Sequence, residues 1–116
     1  MNLKNDGGPA SNMIADATRA MSEAEWAKEV KAYARAHGWR VAHMRPVKLA
    51  SGRWTTPMEG DEGFPDWVFA RHGKVILAEL KTMTGILSRE QQLWLFAAAG
   101  YRWRPCDRGE MEKVLE

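Results

Sequence analysis

Residues 63–81 read Gly-Phe-Pro-Asp-Trp-Val-Phe-Ala-Arg-His-Gly-Lys-Val-Ile-Leu-Ala-Glu-Leu-Lys. Two apolar runs, 67–70 and 75–78, flank His72-Gly73. This is the pattern of a β-hairpin with a two-residue loop in which glycine supplies a permissive φ. With His72 and Gly73 as the loop, Arg71 faces Lys74, and continuing that register sets Asp66 opposite Glu79. Directly opposed side chains share a face, with Cβ atoms roughly 4.5–5.5 Å apart. Lys81 follows Glu79 by two residues and projects from the same face. Two carboxylates and an ammonium therefore meet at the open end of the hairpin.

The hairpin is otherwise apolar on both faces: Val68, Ala70, Val75 and Leu77 on one, Trp67, Phe69, Ile76, Ala78 and Leu80 on the other. Such strands are expected to be central and covered on both sides. Two carboxylates at the edge of such a core repel each other and are costly to desolvate. Two arrangements relieve this. A divalent cation can bridge them, since Mg²⁺ commonly binds one or two carboxylates with water and substrate phosphate. Alternatively, Lys81 simply neutralises a cross-strand surface cluster.

Working outward, Ser22-x-x-Glu25 is a capping box that opens a helix with the stripe Trp26, Val30, Tyr33, Ala34 and His37, closed by Gly38. Glu23 precedes Trp26 by three positions and Val30 by seven, so it points along the inward stripe, whereas Glu25 caps and Glu29 lies on the polar side. Glu23 is either a favourable charge at a helix N-terminus or a third acid reaching a cation. Residues 39–45 read as a strand carrying His43 and Arg45 near its end. Residues 46–62 read as a long irregular connection, of the kind that is usually functional or disordered. Lys48, Arg53 and Trp54 give this connection two cations and a stacking surface suited to DNA backbone and an unpaired base. Asp61 and Glu62 oppose that reading, and a solvated loop is the alternative. Ser88 caps a second helix with Gln91, Trp94, Leu95 and Ala98 inward, ending at Gly100. Gln91 is either the capping amide or a pocket-lining amide. Residues 101–104 form a last strand, Pro105 breaks it, and Asp107-x-x-Glu110 caps a closing helix.

The 116 residues suffice for one domain. A net charge of +2 permits nucleic-acid binding without arguing for it. The single cysteine, Cys106, rules out an internal disulfide or a cysteine metal cluster. There is no apolar run of membrane-spanning length and no signal-peptide pattern, so a cytoplasmic protein without a membrane partner is expected. Residues 1–12 read as a mobile arm and 13–21 as a helical turn or interface segment. Met13, Ile14 and Met21, with a surplus of aromatics including Trp54 and Trp103, offer material for self-association or for internal packing.

Pro65-Asp66, twelve intervening residues, and Glu79-Leu80-Lys81 resemble the core of PD-(D/E)XK nucleases. More narrowly, Gly63-Phe64-Pro65-Asp66 with Ala78-Glu79-Leu80-Lys81-Thr82, Gly85, Leu87-Ser88, Gln91 and Trp94 resembles the VRR-NUC (virus-type replication-repair nuclease) family. The resemblance spans about residues 22–112. It implies an α/β sandwich of the restriction-endonuclease type, with a central mixed β-sheet flanked by helices in the order αβββαβα. Residues 22–116 would be the nuclease domain and 1–21 a flexible arm or interface. It also implies a DNA endonuclease in which Asp66, Glu79 and the Leu80 carbonyl hold Mg²⁺ or Mn²⁺, with Glu23 joining directly or through water. Lys81 would orient the attacking water, and Gln91 would position water or phosphate. His43 and Arg45 match positions where the family often has His and Arg. Stand-alone members resemble homodimeric junction resolvases, which implies branched DNA such as four-way junctions, a homodimer, and a bacterial or phage-infected cell as the setting. The longer acidic loop before Gly63 departs from the family pattern and leaves the substrate shape open. A non-cleaving DNA-binding module, a monomeric flap or nick nuclease, and a structural protein with paired carboxylates are the rival readings.

Overall fold

The computed structural model describes residues 9–116, with side chains from Met13 onward. It is a mixed α/β arrangement: helices α1 (Pro9–Ala20) and α2 (Glu23–Ala36), strands β1 (Arg40–His43), β2 (Val47–Lys48), β3 (Trp54–Thr55), β4 (Trp67–Arg71) and β5 (Lys74–Leu80), helix α3 (Arg89–Ala98), strand β6 (Tyr101–Trp103), a 3₁₀ turn over Pro105–Asp107, and helix α4 (Arg108–Leu115). The main sheet runs β1-β4-β5-β6, antiparallel except for the parallel pair β5–β6.

The hairpin forms in the expected register. Arg71 pairs with Lys74 and Trp67 with Ala78, around a loop whose two residues both have positive φ, His72 at 51° and Gly73 at 76°. Such a turn matches the right-handed twist of the strands it joins. The face bearing Trp67, Phe69, Ile76, Ala78 and Leu80 packs with Trp103 against Trp26, Val30 and Ala34 of α2 and Met111 and Leu115 of α4. Two buried indoles of this core are satisfied: Trp26 Nε1 donates to the Trp103 carbonyl at 2.9 Å and Trp39 Nε1 to the Leu115 carbonyl at 2.8 Å. Burying these rings without such acceptors would leave costly unpaired N–H groups.

The opposite face is covered unevenly, which corrects the expectation of two full layers. Helix α3 buries none of its residues completely, Leu93 and Phe96 stand exposed, and Val75 keeps 63% of its surface. The sheet is thus sealed on the α2/α4 side and screened on the other mainly around Glu79.

Several boundaries also differ. Residues 9–20 form one helix, which extends the helical turn expected from residue 13 back into the expected arm; the rest of that arm, residues 1–8, lies outside the described residues. The connection 46–62 is not wholly irregular: β2 and β3 make a two-stranded ribbon with Lys48 paired to Trp54, closed by Leu49 N–H to the Arg53 carbonyl at 2.8 Å. Trp103 is fully buried and Met21 packs against the core, so neither is free for an interface as had been considered. Asp107 does not cap α4 through its side chain; its carboxylate accepts from Arg104 N–H at 2.8 Å, and Glu110 instead accepts from Trp103 Nε1 at 3.1 Å. Pro105 opens the 3₁₀ turn there, and the acid caps that turn. Among the described residues no helix is long and apolar enough to cross a membrane.

Candidate functional site

The site forms where β4 begins and β5 ends. Continuing the β4–β5 register by one residue brings Asp66 opposite Glu79, and Met44 N–H bonds the Asp66 carbonyl at 2.7 Å, tying this point to the chain after β1. Pro65 is buried. Gly63, at φ +88°, lies so close to α3 that an added Cβ would stand 2.5 Å from the Glu90 carbonyl carbon and 2.7 Å from Gln91 N. Residues 63–66 are therefore pressed onto the N-terminus of α3. Phe64 meets Trp94 edge-on at 5.0 Å, and Trp94 Nε1 donates to the Asp61 carbonyl at 3.2 Å.

Glu79 is the unusual group. It is 1% exposed, and its Oε2 has no hydrogen-bond partner. Its Oε1 accepts from Gln91 Nε2 at 3.1 Å. Gln91 meanwhile accepts the Ser88 N–H at 2.8 Å with its own oxygen, and its N–H bonds Ser88 Oγ at 3.1 Å. The two readings of Gln91 are thus one arrangement: the capping box fixes the amide oxygen and so aims the amide nitrogen at Glu79. Burial pushes the Glu79 carboxyl up to about 8 and the Asp66 charge adds to this, while Lys81 and the neighbouring Asp66 backbone N–H oppose it. Burial also raises Asp66, with His43 and Lys81 pulling it down. Leu80 turns its side chain into the core at 2% exposure, leaving only its main chain for the site. Lys81 is half-buried, and its N–H bonds the Trp103 carbonyl at 3.1 Å.

Glu23 is exposed at the start of α2 rather than inward, yet its charge bears on Asp66, Glu79 and His43. Glu25 is held in the capping box, accepting from Ser22 N–H at 2.8 Å. His43 stacks on Trp67, centroids 4.1 Å apart; partial burial lowers its pKa while Asp66 acts to raise it. Arg45 is exposed just beyond β1.

A cleft of about 380 Å³ opens over this point, running from Asp66 and Gln91 past Met44 and Phe64 to Arg53 and Trp54. Lys48 does not line the cleft but sits across the ribbon from Trp54. Two supports of the site lie outside the local sequence patterns. One is the close approach of Gly63 to α3, for which a glycine ahead of Phe-Pro-Asp was the available signal. The other is Arg104, whose guanidinium binds the Thr82 carbonyl next to Lys81 and which no local pattern marked.

Among the described residues no three His, Cys, Asp or Glu side chains stand close enough to hold a metal ion by themselves. The Asp66–Glu79 pair still fits a hard divalent cation. Glu79 offers an oxygen with no other partner, Asp66 adjoins it and opens to the cleft, and Mg²⁺ ordinarily completes its shell with water and substrate oxygens. No protein-family model matches the chain, and neither does any curated protein or solved structure.

Proposed function

We propose that the chain is a divalent-cation-dependent DNA endonuclease of the restriction-endonuclease-like type, akin to the VRR-NUC nucleases, acting on branched DNA. One observation carries this reading: a buried carboxylate with an unpartnered oxygen is set against a second carboxylate and a lysine behind an open cleft. A purely structural pair has no use for an unsatisfied buried oxygen, which costs about 1–3 kcal/mol. A pure DNA binder has no use for acids facing phosphate. The order of helices and strands around the main sheet, helix, three strands, helix, strand, helix, supports the fold assignment once α1 and the ribbon are set aside.

In this reading Asp66, Glu79 and the Leu80 carbonyl hold Mg²⁺ or Mn²⁺, which when bound polarises the scissile phosphate and lowers the pKa of a coordinated water. Glu23, exposed and felt only through its charge, acts through water rather than as a direct ligand. Gln91 fixes the Glu79 carboxylate by its 3.1 Å bond, so Glu79 presents its other oxygen in a set direction. Lys81 orients the attacking water and stabilises charge growing on the phosphate oxygens. Water adds to phosphorus, the bond to the 3′ oxygen breaks, and the products carry 5′-phosphate and 3′-hydroxyl ends.

Incubation with single-stranded, duplex, flap and four-way DNA, with Mg²⁺, Mn²⁺ or EDTA, tests the proposal. Cation-dependent cutting is expected. Asp66→Asn, Glu79→Gln and Lys81→Ala should each abolish it while circular dichroism stays unchanged. Wild-type cutting by the Glu79→Gln protein, or cutting that survives EDTA, would refute the assignment.

A further inference from the structure

The geometry points to a seat for an unpaired nucleotide between the β2–β3 ribbon and the carboxylate pair, with Trp54 as its stacking platform; the inference takes its substrate class from the nuclease reading. Trp54 keeps 61% of its surface exposed on a two-stranded ribbon, and Val47, Leu49 and Met58 beside it are also exposed. Tryptophan is ordinarily well buried, and a two-stranded ribbon is marginal by itself. Leaving this ring in water therefore implies an occupant.

The cleft determines what that occupant is. Trp54 and Arg53 line the same cavity as Asp66 and Gln91, so a group resting on the cleft side of the indole shares that cavity with the carboxylate pair. A volume of about 380 Å³ falls at the small end of the roughly 300–1,000 Å³ typical of ligand clefts, room for one nucleotide. Inside a duplex both faces of each base are covered by its neighbours, whereas an unpaired base offers a free face to an indole. The charges agree: Arg53 lines the cleft and Lys48 stands directly across from Trp54, on one face of the ribbon with it. Asp61 and Glu62 rim the cleft too and repel phosphate, so the backbone of the bound strand runs along the Arg53 side. Stacking on an aromatic ring is sequence-tolerant because every base has a π-face. The preferred substrate is then DNA with an unpaired strand at the branch, such as a flap or splayed arm, without base specificity at that position.

Fluorescence anisotropy tests this with full-length Asp66→Asn protein, in Mg²⁺, using labelled duplex DNA and the same duplex with a single-stranded overhang. The overhang should bind more tightly. Adding Trp54→Ala or Trp54→Leu should weaken overhang binding by between about fivefold and a hundredfold, with duplex binding changed by less than about twofold. Trp54→Phe should retain most of the affinity. Leucine keeps the apolar bulk but not the π-face, so its loss separates stacking from packing of the ribbon. Equal affinity for the two probes, full retention by Trp54→Leu, equal losses on both probes, or no binding to either would overturn the inference. Cleavage by the unmodified protein is scored separately. Cutting without Trp54-dependent overhang binding refutes the seat and leaves the nuclease, whereas Trp54-dependent binding without cutting does the reverse.

Discussion

Glu79 couples protonation to folding and, in the proposed nuclease, to cation binding. Its folded pKa, near 8, lies above the ordinary carboxyl value, so between about pH 4.5 and 8 the folded chain binds more protons than the unfolded one. Stability of the cation-free protein should therefore be greatest below that window and fall as pH rises through it, by an amount on the order of a few kcal/mol. His43, with its pKa lowered, has the opposite sign around its ordinary value, so the informative quantity is a difference. Thermal melts across this range should show that Glu79→Gln removes most of the decline, and that Mn²⁺ restores wild-type but not Glu79→Gln stability at the alkaline end. A wild-type melting temperature that is flat or rising would mean that Glu79 is ionised when folded. The two acids of α2 separate in the same spirit. Glu23→Gln should lower cleavage well beyond Glu25→Gln, because the Glu23 charge reaches the pair while Glu25 serves the capping box, a task glutamine also performs. Initial rates on one substrate decide, and equal losses would remove Glu23 from the site.

Elements position the pair, and two small residues show how. Gly63 has both a positive φ and no room for a side chain against Glu90 and Gln91. Gly63→Ala should cost about 2 kcal/mol or more in urea unfolding, and should depress cleavage further by moving residues 63–66 off α3. At the other end of α3 the left-handed capping position is held by Ala99, φ 52°, while Gly100 sits where a Cβ would be 2.9 Å from the Leu77 carbonyl oxygen. The glycine is thus used for the tight entry into β6, and the cap takes the strain. Ala99→Gly should stabilise the protein by about 1 kcal/mol, read as a higher urea midpoint without a change in cleavage.

On the scale of the whole molecule the two faces of the sheet differ in kind. One is closed by α2 and α4; the other leaves Val75, Leu93 and Phe96 exposed, Phe96 by 90%. Symmetric cutting of a four-way junction needs two opposed sites, which a two-fold dimer supplies. Exposed apolar residues on this side and on α1, Met13 and Ile14, are the material for such an interface. The junction form of the proposal therefore predicts a dimer by light scattering at micromolar concentration. A mass near 13.1 kDa would defeat it, leaving a monomeric flap-type nuclease.

The hairpin, its loop and the Asp66–Glu79 register were legible in the chain because they rest on local rules: side-chain alternation, a two-residue turn and constant pairing. The capping boxes at Ser22 and Ser88 were legible for the same reason, each lying within four residues, whereas Asp107 was drawn instead to the turn opened by Pro105. What the sequence could not determine were effects of segments distant along the chain: the burial of Glu79, the isolation of its Oε2, the outward position of Glu23, the thin cover of α3, and the ribbon that brings Trp54 to the same cleft as Asp66. Each depends on which elements come to lie over a given atom. Desolvation, unlike pairing, is a property of the surrounding volume rather than of neighbours in the chain.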